Sequence, residues 1–307
     1  MRGLLLVTVG CLFAQQQDVT FHAGVSLVHM DVEVTSADGR LVTGLQQSDF
    51  KVLDNGKPQP IVHFSSDEEP LDLVLLFDVS GSMRAVVQAV ALAAHEGLRE
   101  LRQGDRVAVM TFNSSSSLLA PFTDNLEKVT ETIEHDLIQQ RFGGGTHIQT
   151  AVDDAAIRLR FLKRDQRRRA VLIVTDNMGV RTRREESVIR DFWEADAILS
   201  GVIIHNPRWE TVNTVATILG PQRLLTQAGM KGIAEKTGGD TMKSDDPGGA
   251  FQQMMHRIRT RYSLYYNLPS DPGTKTRSVR VQLTGDAARQ YPQAVVHTRK
   301  GYLPSTP

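Results

Sequence analysis

A group of oxygen-bearing side chains follows the most apolar segment of the chain and could bind a hard metal ion. Residues 71–77 are apolar apart from Asp72, and Asp78, Ser80 and Ser82 follow them at alternate positions. A run of this length is typical of a buried parallel strand, and open α/β sheets bind ligands at the carboxyl ends of such strands. Carboxylate and hydroxyl oxygens suit a hard divalent cation, so this loop is a candidate metal site.

Two further loops carry residues that could complete this site. The apolar segment 169–175 ends in Asp176, and the glycine-rich segment 143–145 precedes Thr146. Because the carboxyl ends of parallel strands meet at one edge of a sheet, we expect these loops to converge with the first one. A carboxylate at the end of a buried strand is costly unless it is hydrogen-bonded or bound to a metal. The alternative is that Asp78 caps the following helix and that the two serines form a turn.

Strands alternate with helices throughout the region that contains these loops. Beyond 71–77, the segments typical of buried strands are 106–112, 169–176 and 197–204. Helical spacing of apolar residues occurs in 83–101, 126–139, 148–162, 183–194, 227–236 and 249–261. This alternation predicts an α/β fold, a doubly wound and mostly parallel sheet with helices on both faces, over residues 70–261.

Short strands are predicted on either side of this α/β region. Residues 25–34 alternate apolar and polar side chains, as in a half-buried strand, and 41–45 continue after a turn at Asp38–Gly39. Residues 49–53 are expected to pair with 61–64, and 262–268 and 278–283 alternate in the same way. We expect 18–67 and 262–303 to form one small β-sandwich into which the α/β domain is inserted. Two separate β modules are the alternative.

The composition excludes some classes of partner and suggests export. The 307 residues include 35 basic and 35 acidic ones, so bulk charge indicates neither a nucleic acid nor a membrane surface as partner. Residues 1–14 resemble a short secretory signal cut near Ala14, although a buried strand is the alternative. The single cysteine, Cys11, would be lost with that signal unless it anchored a lipoprotein. No segment of the mature chain is long and apolar enough to span a bilayer. The protein is therefore expected outside the cell, in the periplasm or in the cell envelope.

The three loops resemble the von Willebrand factor type A domain family over about residues 70–262. Asp78-Val-Ser80-Gly-Ser82 is similar to the Asp-x-Ser-x-Ser signature of the family's metal ion-dependent adhesion site. The other matching segments are Gly144-Gly145-Thr146, Val174-Thr175-Asp176, Gly104-Asp105-Arg106-Val107 and Val109-x-x-Phe112. The flanking segments, with Gly44-Leu45, Asp49-Phe50, Asn55-Gly56 and Gly301-Tyr302, resemble secreted acidobacterial members. One departure is Asn177, where the family usually has glycine.

This resemblance implies a set of metal ligands and a mode of binding. The implied ligands are Asp78, Ser80, Ser82, Thr146 and Asp176, holding Mg²⁺, Mn²⁺ or Ca²⁺. Because three of the ligands are neutral hydroxyls, the ion stays electrophilic and can accept a carboxylate from a partner protein. The resemblance thus implies an exported adhesion or envelope-assembly module that binds protein.

The sequence does not favour an enzyme. A haloacid dehalogenase-type phosphatase would carry a second aspartate at the position of Ser80. The chain also has no phosphate-binding Gly-x-x-x-x-Gly-Lys loop, no Gly-x-Ser-x-Gly nucleophile and no His-Glu-x-x-His zinc motif. Two alternatives to the binding module remain: a metal-dependent hydrolase, and a structural envelope protein with a vestigial metal site.

A run of cations lies between the second and third site loops. Residues 158–169 contain seven basic side chains, which could bind an anionic polymer or lipid surface. We favour instead a solvated helix end, where cations complement the helix dipole.

Overall fold

The fold is described from a computed structural model. The described residues are 26–66, 69–163, 165, 167–180, 182–205, 226–227 and 229–304. The expected signal segment 1–14, with Cys11, and the first residues of the expected segment 18–67 lie outside them.

The strands and helices of the described residues follow the expected alternation. The strands are β1 Leu27–Thr35, β2 Phe50–Asp54, β3 Lys57–Gln59, β4 Ile61–Ser66, β5 Leu71–Asp78, β6 Arg106–Phe112, β7 Ser116–Thr123, β8 Arg168–Thr175, β9 Met178–Gly179, β10 Ile198–Ile204, β11 Thr226–Gln227, β12 Thr241–Ser244, β13 Tyr262–Asn267, β14 Arg277–Leu283, β15 Val295–His297 and β16 Gly301–Tyr302. The helices are α1 Arg84–Leu98, α2 Leu126–Glu131, α3 Ile148–Arg160, α4 Glu185–Ala195, α5 Met230–Thr237, α6 Pro247–Arg259 and α7 Gly285–Gln290. A π-helical turn, Thr132–Leu137, extends α2, and a 3-10 turn, Gly81–Met83, precedes α1.

A six-stranded sheet forms the centre of the α/β region. Its strand order is β12-β10-β8-β5-β6-β7, in which every neighbouring pair is parallel except β6 and β7. Alternate residues of β5 pack on opposite faces: Leu75 and Phe77 join the core beneath α1 and α6, and Val74 and Leu76 join the core beneath α3, α4 and α5. The mostly parallel sheet with helices on both faces is therefore confirmed.

Two four-stranded sheets contain the segments that flank the α/β region. Their strand orders are β15-β1-β13-β4 and β16-β14-β2-β3, so each sheet combines strands from before and after the α/β region. Val32 of β1, Tyr266 of β13 and Val52 of β2 lie in one buried apolar cluster to which both sheets contribute.

Two local predictions for the amino-terminal strands are wrong. Residues 61–64 do not pair with 49–53, because β2 pairs with β3 and β4 crosses to pair with β13. Pro60, which has no backbone N–H, lies between β3 and β4, where the chain crosses from one four-stranded sheet to the other. Residues 41–45 do not continue the strand, and Leu41 forms only an isolated bridge with Thr35. The Tyr262 hydroxyl instead satisfies backbone groups of this segment: it donates to the Val42 carbonyl (2.9 Å) and accepts from the Leu45 N–H (3.1 Å).

The polar face of β1 is buried against the α/β region rather than exposed to water. Asp31 accepts a hydrogen bond from Arg168 Nε (2.9 Å) at the start of β8, and both Asp31 and Glu33 accept from Arg261. Arg257 of α6 also donates to Glu33. We call these five residues the buried ion cluster.

The basic run 158–169 is likewise only partly solvated. Helix α3 ends at Arg160, and Arg168 and Arg169 are buried at the start of β8. Arg168 donates to the Ile258 and Arg259 carbonyls as well as to Asp31, and Arg169 donates to the carbonyls of Lys163 and Ala195. The interpretation of this run as a solvated helix end is therefore wrong for these arginines, because they satisfy backbone oxygens between elements.

The buried ion cluster predicts a loss of stability in acid. Burial would raise the pKa of Asp31, but the charges of Arg168 and Arg261 outweigh it and lower that pKa to about 2. Because this folded-state pKa lies below the ordinary value of 3.8, the carboxylate stabilises the fold above about pH 4. We expect on the order of 2 kcal/mol of the free energy of unfolding to be lost as the pH falls from about 4 to 2.

Urea unfolding across this pH range measures the loss. Asp31→Asn should be less stable than the wild type at neutral pH and should show a shallower decline in acid. An equally steep decline in both proteins would assign the acid sensitivity to other carboxyl groups.

Candidate metal site

The sheet brings the two site aspartates to the same edge. β5 and β8 are adjacent and parallel, with Phe77 beside Val174, so the chain reaches Asp78 and Asp176 at neighbouring carboxyl ends. The backbone then turns away from the sheet at both positions, through the Gly81–Met83 turn and through β9. The expectation that the loops meet at one edge holds for these two.

Asp78 is a fully buried carboxylate that is held by hydrogen bonds. Its Oδ1 accepts the N–H of Ser80 (2.8 Å) and its Oδ2 accepts the hydroxyl of Thr175 (2.7 Å). Burial raises its pKa to about 6, the two hydrogen bonds oppose the rise, and the charge of Asp176 adds to it. No lysine, arginine or histidine of the described residues forms an ion pair with Asp78. A buried negative charge without a cation is what a metal ion would stabilise.

A chain of side-chain contacts links the first loop to Asp176. Ser80 Oγ lies 3.4 Å from Ser82 Oγ, and Ser82 Oγ donates to Asp176 Oδ2 at 2.8 Å. The other carboxylate oxygen, Asp176 Oδ1, accepts the N–H of Met178 at 3.1 Å. Four of the five expected ligands therefore lie together, and their oxygens form a hard donor set that fits Mg²⁺ or Ca²⁺.

Thr146 reaches the same region by its backbone. The Val180 N–H donates to the Thr146 carbonyl (3.1 Å), which places this threonine against the segment that follows Asp176. On the other side, the Gly143 N–H donates to the Val79 carbonyl (3.0 Å), next to the serine loop. The Thr146 side chain is buried, and its hydroxyl has no hydrogen-bond partner among the described residues. That hydroxyl is therefore available as a ligand.

Gly179 was not identified from the sequence, yet it determines how closely the backbone of Thr146 can approach the segment that follows Asp176. A Cβ at position 179 would lie 2.5 Å from the Thr146 carbonyl oxygen, far inside van der Waals contact. The φ angle of Gly179 is not positive, so the constraint is steric rather than conformational. The nearest glycines in the sequence, Gly145 and Gly201, are more than twenty positions away, so no glycine motif marks this position.

Gly179→Ala is expected to displace Thr146 and weaken Mg²⁺ binding by roughly tenfold, the scale on which supporting residues act on metal sites. The reason is that the added methyl group must move the threonine loop away from the Asp176 loop. Isothermal titration with MgCl₂ measures the change. Gly81→Ala is the matched control, because a Cβ at Gly81 meets no atom within 4 Å. Equal affinities in the two variants would contradict the role of Gly179.

The sequence comparison identifies the domain. The von Willebrand factor type A domain family matches residues 73–179, a span that contains all five expected ligands. The chain contains a von Willebrand factor type A domain. Domains of this family are in general protein-interaction modules, and they often bind a divalent metal.

Solved structures resemble the chain at low identity. The BatB protein from Bacteroides thetaiotaomicron is 18% identical, with 61% of this chain and 97% of that chain covered and a TM-score of 0.47. An aerotolerance-related membrane protein from Bacteroides fragilis is 15% identical, with 61% and 98% covered and a TM-score of 0.47. Proximal thread matrix protein 1 from the mussel byssus is 13% identical, with 63% and 49% covered and a TM-score of 0.49. The search of curated proteins finds no match.

Asn177 stands where the von Willebrand factor type A domain usually has glycine, and it adopts a backbone conformation that glycine favours. Its φ angle is 58°, in the left-handed region that asparagine tolerates better than most residues. Its N–H donates to Thr175 Oγ1 at 3.1 Å, and that hydroxyl in turn donates to Asp78. The asparagine therefore maintains the turn that carries Asp176.

A second group of possible metal ligands lies away from this edge of the von Willebrand factor type A domain. One ligand atom each of Glu33, Asp240 and His297 fall within 4.8 Å of one another. Arg257 pairs with both Glu33 and Asp240, and Arg261 pairs with Glu33, so these carboxylates already have cations. Asp240 also precedes β12, at the amino end of a parallel strand. This group belongs to the contact with β1.

Among the described residues, no helix is long and apolar enough to cross a membrane.

Proposed function

We propose that the protein is an exported module that binds a partner protein through a divalent cation. The proposed ligands are Asp78, Ser80, Ser82, Thr146 and Asp176, and the ion is Mg²⁺, with Mn²⁺ or Ca²⁺ as substitutes. The observation that carries the proposal is the buried Asp78, which pairs with no cation of the described residues, in a loop whose Ser82 hydroxyl donates to Asp176.

Each residue of the site has a distinct task in this proposal. Asp78 and Asp176 supply the negative charge, and the hydrogen bonds from Thr175 and Met178 hold their carboxylates in place. Ser80, Ser82 and Thr146 supply neutral oxygens. When bound, the cation attracts a further carboxylate, which an Asp or Glu of the partner would provide. Domains of this family are in general protein-interaction modules, which supports a binding role over an enzymatic one.

We also propose that residues 18–67 and 262–303 form one β-sandwich that carries the inserted domain. The paired strands β4 and β13 support this, because Ser66 lies beside Tyr262 and the insertion therefore begins and ends at neighbouring points. The expected signal segment supports export to the envelope or beyond.

Titration calorimetry with MgCl₂ and MnCl₂ tests the metal site. One site is expected in the wild type and none in Asp78→Ala. A wild-type protein that binds neither ion would contradict the proposal.

Capture of envelope proteins by the immobilised protein, with and without chelator, tests the binding role. Capture that depends on the metal is expected. Equal capture in chelator would favour a structural envelope protein whose metal site is vestigial.

A further inference from the structure

Arg84 and Phe142 join the two loops that carry Ser82 and Thr146. The Arg84 guanidinium carbon lies 4.5 Å from the centre of the Phe142 ring, a cation–π contact. Arg84 is the first residue of α1, two positions after Ser82, and Phe142 directly precedes the glycine segment that leads to Thr146. The Gly143 N–H donates to the Val79 carbonyl at 3.0 Å, so the two loops are neighbours in the backbone as well.

Arg84 occupies a position that disfavours a positive charge. The first turn of a helix carries the positive end of the helix dipole, and the first turn of α1 contains no acidic residue. Arg84 is exposed and forms no hydrogen bond or ion pair with any described residue. Arg141, which directly precedes Phe142, is also exposed and without an acidic partner in the described part of the chain. Two uncompensated cations thus border the candidate metal site.

The phenylalanine ring fixes one of these cations in place. A side chain as flexible as arginine loses rotamer freedom when it binds a partner, and stacking on a ring reduces that loss because the guanidinium is already positioned. The planar guanidinium remains able to donate hydrogen bonds to a carboxylate while its face contacts the ring.

From this geometry we infer that the binding surface recognises a segment with two neighbouring acidic side chains. One carboxylate binds at the metal ion, and the second pairs with Arg84 beside the Phe142 ring. This inference rests on the proposed function, and it specifies the partner as an acidic segment rather than one with an isolated Asp or Glu. Arg141 adds to the attraction for such a segment through its charge.

Selection of short random peptides displayed on phage tests the inference. The immobilised wild-type protein is presented with the library in MgCl₂, and bound phage are eluted with chelator. Peptides that carry two acidic residues close together are expected. For the best such peptide, Arg84→Gln should weaken binding about three- to fivefold, the range of an exposed ion pair, and should reduce its dependence on salt.

Arg158→Gln is the matched control. Arg158 is also exposed and without an ion-pair partner among the described residues. It lies in the last turn of α3, at the opposite end of that helix from the Thr146 loop. This substitution should leave peptide affinity unchanged. Mg²⁺ titration of Arg84→Gln should give the wild-type affinity, which shows that the metal site is intact.

The outcomes separate this inference from the proposed function. Selected peptides with a single acidic residue, bound equally by wild type and Arg84→Gln, would overturn the inference and leave the metal-dependent binding function standing. Equal losses for Arg84→Gln and Arg158→Gln would also overturn it, because a general charge effect would explain both. Failure to select any peptide that requires MgCl₂ would contradict the proposed function, and the inference would fall with it.

Discussion

Asp78→Asn is expected to abolish Mg²⁺ binding while leaving the metal-free protein at least as stable as the wild type. Burial raises the pKa of Asp78 to about 6 from an ordinary value of 3.8, so the ionised carboxylate is disfavoured in the fold. At neutral pH this corresponds to a cost on the order of 3 kcal/mol, which metal binding would offset. An amide of the same shape carries no charge and avoids that cost.

Both hydrogen-bonded contacts of Asp78 can be kept in this substitution, with the contact to Thr175 reversed in direction. The Asn carbonyl oxygen can still accept the Ser80 N–H, and its amide can donate to the Thr175 hydroxyl. That hydroxyl already accepts the Asn177 N–H, and it has a second lone pair. The substitution therefore removes the charge that the metal needs, and its remaining cost is the Thr175 hydroxyl proton, which loses Asp78 as its acceptor.

Asp72→Asn is a control that is expected to have the opposite effect on the free energy of unfolding. Asp72 lies in the same strand, is equally buried, and accepts from Arg106 Nε (2.8 Å), Arg106 Nη2 (2.7 Å) and Arg167 Nε (2.8 Å). Removing its charge leaves these arginines uncompensated, so we expect a lower free energy of unfolding by about 3 kcal/mol and normal Mg²⁺ binding. Denaturant unfolding with and without MgCl₂ measures both effects. Wild-type Mg²⁺ affinity in Asp78→Asn, or equal destabilisation by both substitutions, would contradict this account.

The sequence predicted the parts of the site that depend on strand direction. Asp78 and Asp176 end apolar runs, and parallel pairing of β5 and β8 brings the ends of such runs to one edge whatever the side chains around them. The contact between Ser82 and Asp176 then follows from alternate positions in a short loop. Gly179 could not be found in this way, because the clash that excludes a side chain there is with an oxygen of a residue more than thirty positions away.

The same limit applies to the charged face of β1. Alternation distinguishes two faces of a strand, but it does not say whether water or another part of the chain covers the polar one. In β1, Asp31 and Glu33 face arginines from β8 and α6, which lie far away in the sequence. The hairpin of 49–53 with 61–64 was wrong for a related reason, since local spacing suggests the nearest partner and β4 instead pairs with β13.

Arg261→Met is expected to lower the free energy of unfolding by about 3–5 kcal/mol, because it removes one of the two arginines that pair with each of the buried carboxylates Asp31 and Glu33. The Arg261 side chain is fully buried and donates to Asp31, to Glu33 Oε2 (2.9 Å), and to the carbonyls of Gly238 and His297. Methionine fills much of the same space but satisfies none of these acceptors. Arg289→Met is the control, because Arg289 pairs with Asp286 on the surface, and it should change stability little.

This substitution also tests whether the two parts of the molecule unfold together. Arg261 donates hydrogen bonds both to β1, in one of the four-stranded sheets, and to the carbonyl of Gly238, at the end of α5 in the α/β region. Calorimetry of the wild type should therefore show one transition, and Arg261→Met should lower it or divide it into two. Adding Glu33→Gln to Arg261→Met should restore part of the stability, since Glu33 and Asp240 would otherwise share Arg257. If Arg261→Met alone destabilises the protein no more than Arg289→Met does, the buried ion cluster contributes nothing to joining the two parts.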